Sequence, residues 1–149
     1  MNRIEFDKLP EMVGQSLGTS PWLTIDQERI NAFAEVTGDP QWIHVDEQRA
    51  AQGPFGATVA HGYLTLSLLP KFLHETWALT GARMGLNYGL NRVRFPSPVV
   101  VNSRLRAHFK LLSCEPIEGG WQVVSEVTME REGSSKPACV AESVSRHYR

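Results

Sequence analysis

The run VAHGYLTLSLLPKFL at residues 59–73 constrains the fold of this chain more than any other stretch. Within residues 63–69 only Thr65 and Ser67 interrupt the apolar side chains. A helix apolar on every side is stable in lipid or inside a wrapping of protein. Spanning a bilayer takes about 20 apolar residues, and this run is far shorter. The chain must therefore surround a buried central helix with something that has one apolar face. Pro70 is placed to kink that helix.

The wrapping is legible in the second half, where apolar and polar residues alternate with the period of two of half-buried antiparallel strands. Across residues 103–111, Leu105, Ala107, Phe109 and Leu111 share one face, and Arg104, Arg106, His108 and Lys110 share the other. Residues 121–130 answer with Trp121, Val123, Val127 and Met129 on one face and Glu126 and Glu130 on the other. Glu118, Gly119 and Gly120 supply turn chemistry between them, and REGSSKP at residues 131–137 supplies it again. Residues 86–95 and 137–148 complete at least four long strands, with Pro96 and Pro98 separating the first from the second. An apolar helix inside a curled antiparallel sheet is an α+β domain. The chain has 149 residues, read as one domain over residues 1–149. A chain of about 150 residues hides roughly 68–70% of its unfolded surface, enough for a real core.

Charge and cysteine content remove several function classes. The net charge is −1 with histidines neutral, which leaves no electrostatic footprint for nucleic acid. The N-terminal MNRIEFDKLP carries charges where a secretory signal needs an apolar run, so a cytoplasmic protein away from membranes is expected. Cys114 and Cys139 lack CxxC spacing and read as free thiols rather than zinc ligands.

The first half is helical and rich in loops. Thr24 and Gln27 stand at capping-box spacing, with Asp26 adding negative charge at the helix start. Ile30, Phe33 and Ala34 supply the apolar face, and Gly38 a left-handed stop. A second, shorter helix begins at Asp46, leaving His44 in the link between the two. Asp39 and His44 are five residues apart, whereas side chains meet on one helix face at three or four. The corner made by Gly38, Asp39 and Pro40 can nevertheless turn both toward one space.

Taken together, FAEVTGDPQWIHVD, AHGYLTLSLLP and NRVRFPSPV resemble the MaoC-like dehydratases, also called R-specific enoyl-CoA hydratases. The family motif runs glycine–aspartate–x–asparagine–proline–aliphatic–histidine, and its aspartate and histidine are the catalytic pair. Carried over, the pair is Asp39 and His44. The family's histidine–glycine at the start of the central helix falls on His61 and Gly62, and its helix serine on Ser67. This chain departs from the motif at Gln41, where the family has asparagine, and at Trp42, where it has proline. The resemblance implies a hot-dog fold, an antiparallel sheet wrapped around a central apolar helix. It also implies a homodimer acting on acyl-CoA with no cofactor and no metal.

The chemistry implied is reversible hydration of a trans-2-enoyl thioester. Asp39 and His44 would hold one water and divide the proton transfers, and which of them activates it stays open. The Gly62 N–H would meet the thioester oxygen as charge develops there. Gln41, His61 and Ser67 would position water or substrate. Each residue also has a plainer reading. Asp39 suits a turn, His44 a structural role, and Ser67 can bond back to its own helix. The basic stripe from Arg104 to Lys110 fits a solvated face paired with Glu126 and Glu130 better than a site for coenzyme A phosphates, for which Arg92 and Arg94 are alternatives. Rival functions are a hot-dog thioesterase, a non-catalytic acyl-CoA-binding module, and a metal site built from Asp39, His44, Asp46 and His61.

Overall fold

Short pairings and turns organise the N-terminal part before the long strands begin. A computed structural model describes all residues, 1–149. The chain opens with β1 (Asn2–Glu5), a 3-10 turn at Phe6–Met12, β2 (Ser16–Thr19) and β3 (Leu23–Thr24). Helices α1 (Gln27–Thr37), α2 (Trp42–Val45), α3 (Glu47–Ala51), α4 (Gly62–Ser67) and α5 (Leu69–Thr76) follow. The strands β4 (Trp77–Thr80), β5 (Met84–Arg94), β6 (Arg104–Ile117), β7 (Gly120–Arg131) and β8 (Cys139–Tyr148) complete it. No helix is long and apolar enough to cross a membrane.

The period-two segments form one antiparallel sheet in the order β2-β6-β7-β8-β5, with β3 also paired to β6. The register sets Phe109 opposite Val127 and Val127 opposite Ala141, so their side chains line one face. That face is the core. Leu105, Ala107, Phe109, Leu111, Val123, Val127 and Met129 are fully buried there against Leu64 of α4, Leu68 at the junction, and Leu69 and Phe72 of α5. This is the hot-dog arrangement, α+β with the sheet curled around a central helix. The opposite face carries the basic stripe, which pairs across the hairpin with Glu130 as expected and with Glu132 rather than Glu126, while Lys110 and Glu126 form no ion pair. Arg106 and His108 both bond Glu130, at 2.7 and 2.6 Å, and Arg104 bonds Glu132 at 3.1 Å.

Pro70 interrupts the central helix as expected, and three other local expectations need correction. The central helix is two segments, because Pro70 has no N–H and its ring crowds the carbonyl four residues back. Leu68 joins them, its N–H shared between the carbonyls of Leu64 and Thr65. The run is not buried on all sides, since Tyr63 is 71% exposed and Ser67 is exposed. The cap of α1 is Asp26, whose carboxylate accepts the Arg29 N–H at 2.9 Å, not Thr24. Ile25 is tied on both sides to the chain at Asn102 and Ser103, so the backbone stays extended until Asp26 and Thr24 remains in β3. His44 lies on α2, a single helical turn, rather than in a link.

Candidate functional site

The corner after α1 is built by its termination. Gly38 adopts φ 71°, open to glycine without the Cβ penalty, and the Asp39 N–H returns to the Ala34 carbonyl at 3.0 Å. Asp39 is thereby turned off the helix axis, and Pro40 prevents the helix resuming. One turn later α2 presents His44 inward, 7% exposed. From the other side comes residue 61, where the chain enters α4.

These elements bring Asp39, His44 and His61 together. A carboxylate oxygen of Asp39 and one ring nitrogen of each histidine all lie within 4.8 Å of one another. The two imidazoles stack, ring centres 3.7 Å apart and planes 22° apart, and Phe33 lies against the ring of His61 at 5.0 Å. Asp39 stays half exposed at the mouth while both histidines are buried.

Hydrogen bonds fix how each ring can act. His44 Nδ1 lies 2.6 Å from the Val59 carbonyl, which can only accept, so Nδ1 carries the proton. In neutral His44 the lone pair is therefore on Nε2. Burial is the largest influence on His44 and holds its pKa below the ordinary histidine value, with the nearby His61 adding to the effect; the Val59 carbonyl and Asp39 act the other way. His61 Nε2 donates to the backbone carbonyl of Asp39 at 3.0 Å and lies 3.8 Å from its carboxylate. His61 thus braces the corner that carries Asp39. Its Nδ1 is buried with no partner.

A further set of bonds supports this group from behind. Gln27, in the first turn of α1, donates to the His44 carbonyl at 2.8 Å and accepts from the Thr58 hydroxyl at 2.5 Å. Neither Gln27 nor Thr58 was singled out as functional from sequence. In the sequence Gln27 has the spacing of a cap, and Thr58 ends a loop.

The other site candidates are placed differently. Gly62 begins α4, and its N–H has no acceptor within the chain. A Cβ at Gly62 would stand 2.9 Å from the Phe95 ring, so this backbone is approached closely. Both residues line a cavity of about 270 Å³ with Phe55, Thr65 and Pro98. Gln41 is exposed at the start of α2, and its side chain makes no hydrogen bond. Ser67 bonds back to the Tyr63 carbonyl at 2.6 Å and lines a separate groove of about 390 Å³ with Leu66, Pro70, Tyr88 and Leu90.

The donor set does not suit a metal ion. Asp46 caps α3 by accepting the Arg49 N–H at 3.0 Å, so it is engaged elsewhere. Imidazole nitrogens bind metals in the plane of the ring, at about 2.0–2.1 Å for zinc. Two planes stacked 3.7 Å apart and tilted by only 22° share no point near both nitrogens. The thiols are also unsuited to covalent chemistry, since burial pushes both Cys114 and Cys139 up to about 11.

Known proteins align with this arrangement along most of the chain. The MaoC like domain family matches residues 8–132. The 3-hydroxyacyl-thioester dehydratase Z of Mycobacterium tuberculosis is 52% identical over 140 residues, covering 93% of each chain. Nodulation protein N of Rhizobium leguminosarum bv. viciae is 45% identical over 152 residues, covering 95% of this chain and 89% of that one. Among solved structures, the R-hydratase PhaJ1 of Pseudomonas aeruginosa superposes with a TM-score of 0.77 at 23% identity, over 92% of this chain and 82% of that one.

Proposed function

The chain belongs to the MaoC-like dehydratase family and is a hydro-lyase, and we propose that it reversibly hydrates trans-2-enoyl-CoA to the (3R)-3-hydroxyacyl thioester. The convergence of Asp39 with the Nδ1-protonated ring of His44 carries this reading. Hydration forms a bond between the water oxygen and C3 and one between a proton and C2. Asp39 and His44 hold the water between them. It releases a proton to the pair as its oxygen attacks, and the pair returns a proton to C2, so the enzyme ends each turnover unchanged. His44 suits this work because its neutral Nε2 is an acceptor.

Electron density displaced by the attack collects on the thioester oxygen. The unpaired Gly62 N–H is the donor we assign to it, with the ring of Phe95 turning aside to admit the thioester. A donor of this kind is worth roughly 2.7–4 kcal/mol in other enzymes. It acts on developing charge, so it accelerates the reaction without holding the substrate more tightly. His61 acts on Asp39 through the backbone, Gln41 stands at the open side of the corner, and Ser67 belongs to the acyl groove. Arg92 is exposed and unpaired, unlike Arg104 and Arg106 of the basic stripe, and suits the coenzyme A phosphates better.

The working form in this reading is a homodimer, which covers the groove between α5 and the edge strand β5. The test is hydration of crotonyl-CoA, followed by enoyl absorbance beside a free-thiol assay. Asp39→Asn and His44→Gln should each lower kcat/KM by roughly 10²–10⁴-fold with the fold intact. Near-normal turnover in both variants rejects the assignment, and thiol release by the wild type would make the protein a thioesterase.

A further inference from the structure

His44 owes its orientation to two chain segments that are far apart in sequence. Its own segment is α2, four residues long, and one helical turn is not stable by itself. The acceptor for its ring belongs to a second segment, residues 58–60. That segment is anchored by bonds from the Val101 N–H to the Thr58 carbonyl and from the Ala60 N–H to the Val99 carbonyl. The two segments touch directly through one backbone bond, from the Val59 N–H to the Ile43 carbonyl at 3.0 Å, and the angle of the imidazole depends on what else holds them relative to each other.

We propose that Gln27 is a positioning residue, a neutral clamp that joins these segments and so fixes the ring of His44. Its amide N–H₂ donates to the His44 carbonyl at 2.8 Å and to Asn31 Oδ1 at 2.8 Å. Its amide oxygen accepts from Thr58, a hydroxyl 1% exposed and adjacent to the Val59 carbonyl that receives the His44 proton. One planar group thus grips His44 by its backbone and, through Thr58, the acceptor of its side chain. The job requires a donor and an acceptor on the same short arm without charge. A glutamate would set its carboxylate against the His44 carbonyl and could not donate to it. The inference rests on His44 as a proton-transferring group, but the clamp itself has a readout that does not involve turnover.

That readout is the tautomer of His44, seen in nitrogen NMR of the imidazole at neutral pH. Wild type should show a single Nδ1-protonated form. Gln27→Met keeps the length of the arm and removes both kinds of bond, and should give a mixture of tautomers. In the same variant kcat should fall roughly ten- to a hundred-fold while KM holds, since misplacement of a reacting group is what is lost. As the ring gains water, the acid limb of the pH–rate profile should move up toward 6.5, the ordinary histidine value. Thr58→Val should change the spectrum in the same direction and Thr58→Ser should not, which decides the matter even if Gln27→Met does not fold. A wild-type tautomer and an unmoved acid limb in folded Gln27→Met or Thr58→Val overturn the proposal. A changed tautomer with unchanged turnover upholds the clamp and counts against His44 as the reacting group.

Discussion

Burial makes His44 harder to protonate than a solvated imidazole, and this has two consequences at the residue scale. For the turnover proposed above, the ring must be neutral to accept a proton. Its lowered pKa keeps it neutral further into acid, so the acid limb of kcat/KM should lie below pH 6.5. For stability, His147 is lowered by burial as well. As pH falls through about 6.5 the unfolded chain takes up these protons before the folded one does, so stability decreases with falling pH in that window and is fully present above it. Urea midpoints at pH 5.5 and 7.5 should differ in that sense, and His147→Gln should shrink the difference. Asp39 and His44 were legible because Gly38, Asp39 and Pro40 make a corner that can turn both toward one space, and His61 through the resemblance, whose histidine–glycine pair falls on it. Gln27 and Thr58 were not, because their bond spans 31 positions and no local pattern encodes it.

At the scale of elements, the start of α1 shows how tertiary pairing overrides a local motif. Thr24 and Gln27 have the spacing of a cap, but the bonds of Ile25 to Asn102 and Ser103 keep the chain extended and pass the role to Asp26. Asp26→Ala should therefore destabilise the protein by about 1 kcal/mol, whereas Thr24→Ala should stay within roughly 0.5 kcal/mol. Urea unfolding of the two variants separates the assignments. The long strands were legible from their period of two, since a sheet with one buried face must alternate. By contrast β1 and β4 pair in parallel over only four residues each, Asn2 opposite Trp77, too short to display any period. The central helix was legible as an apolar run, but hydropathy does not say which side is covered. Its exposed Tyr63 packs edge-on to exposed Phe95, ring centres 6.3 Å apart, beside the cavity at Gly62.

The uncovered side becomes intelligible for the molecule as a whole. β5 is an edge of the sheet, with a row of backbone groups free to pair, and it carries four exposed apolar side chains, Met84, Leu86, Tyr88 and Leu90. Natural edges are usually shortened, charged or covered. This one is 11 residues long, and between Met84 and Leu90 it has no charge. Beside it runs the groove that holds Ser67, walled by α4, α5 and β5 but open to solvent. A second copy laid against β5 would satisfy the strand edge, bury the apolar side chains and close the groove in one step. Dimer formation and acyl-chain binding should therefore fail together. Leu86→Arg with Leu90→Arg should sediment as a monomer at micromolar concentration where the wild type sediments as a dimer. The same variant should lose affinity for long enoyl-CoA more than for crotonyl-CoA, because the short chain needs less of the groove. A wild type that sediments as a monomer, or a charged variant that stays dimeric, would show that β5 is not the contact.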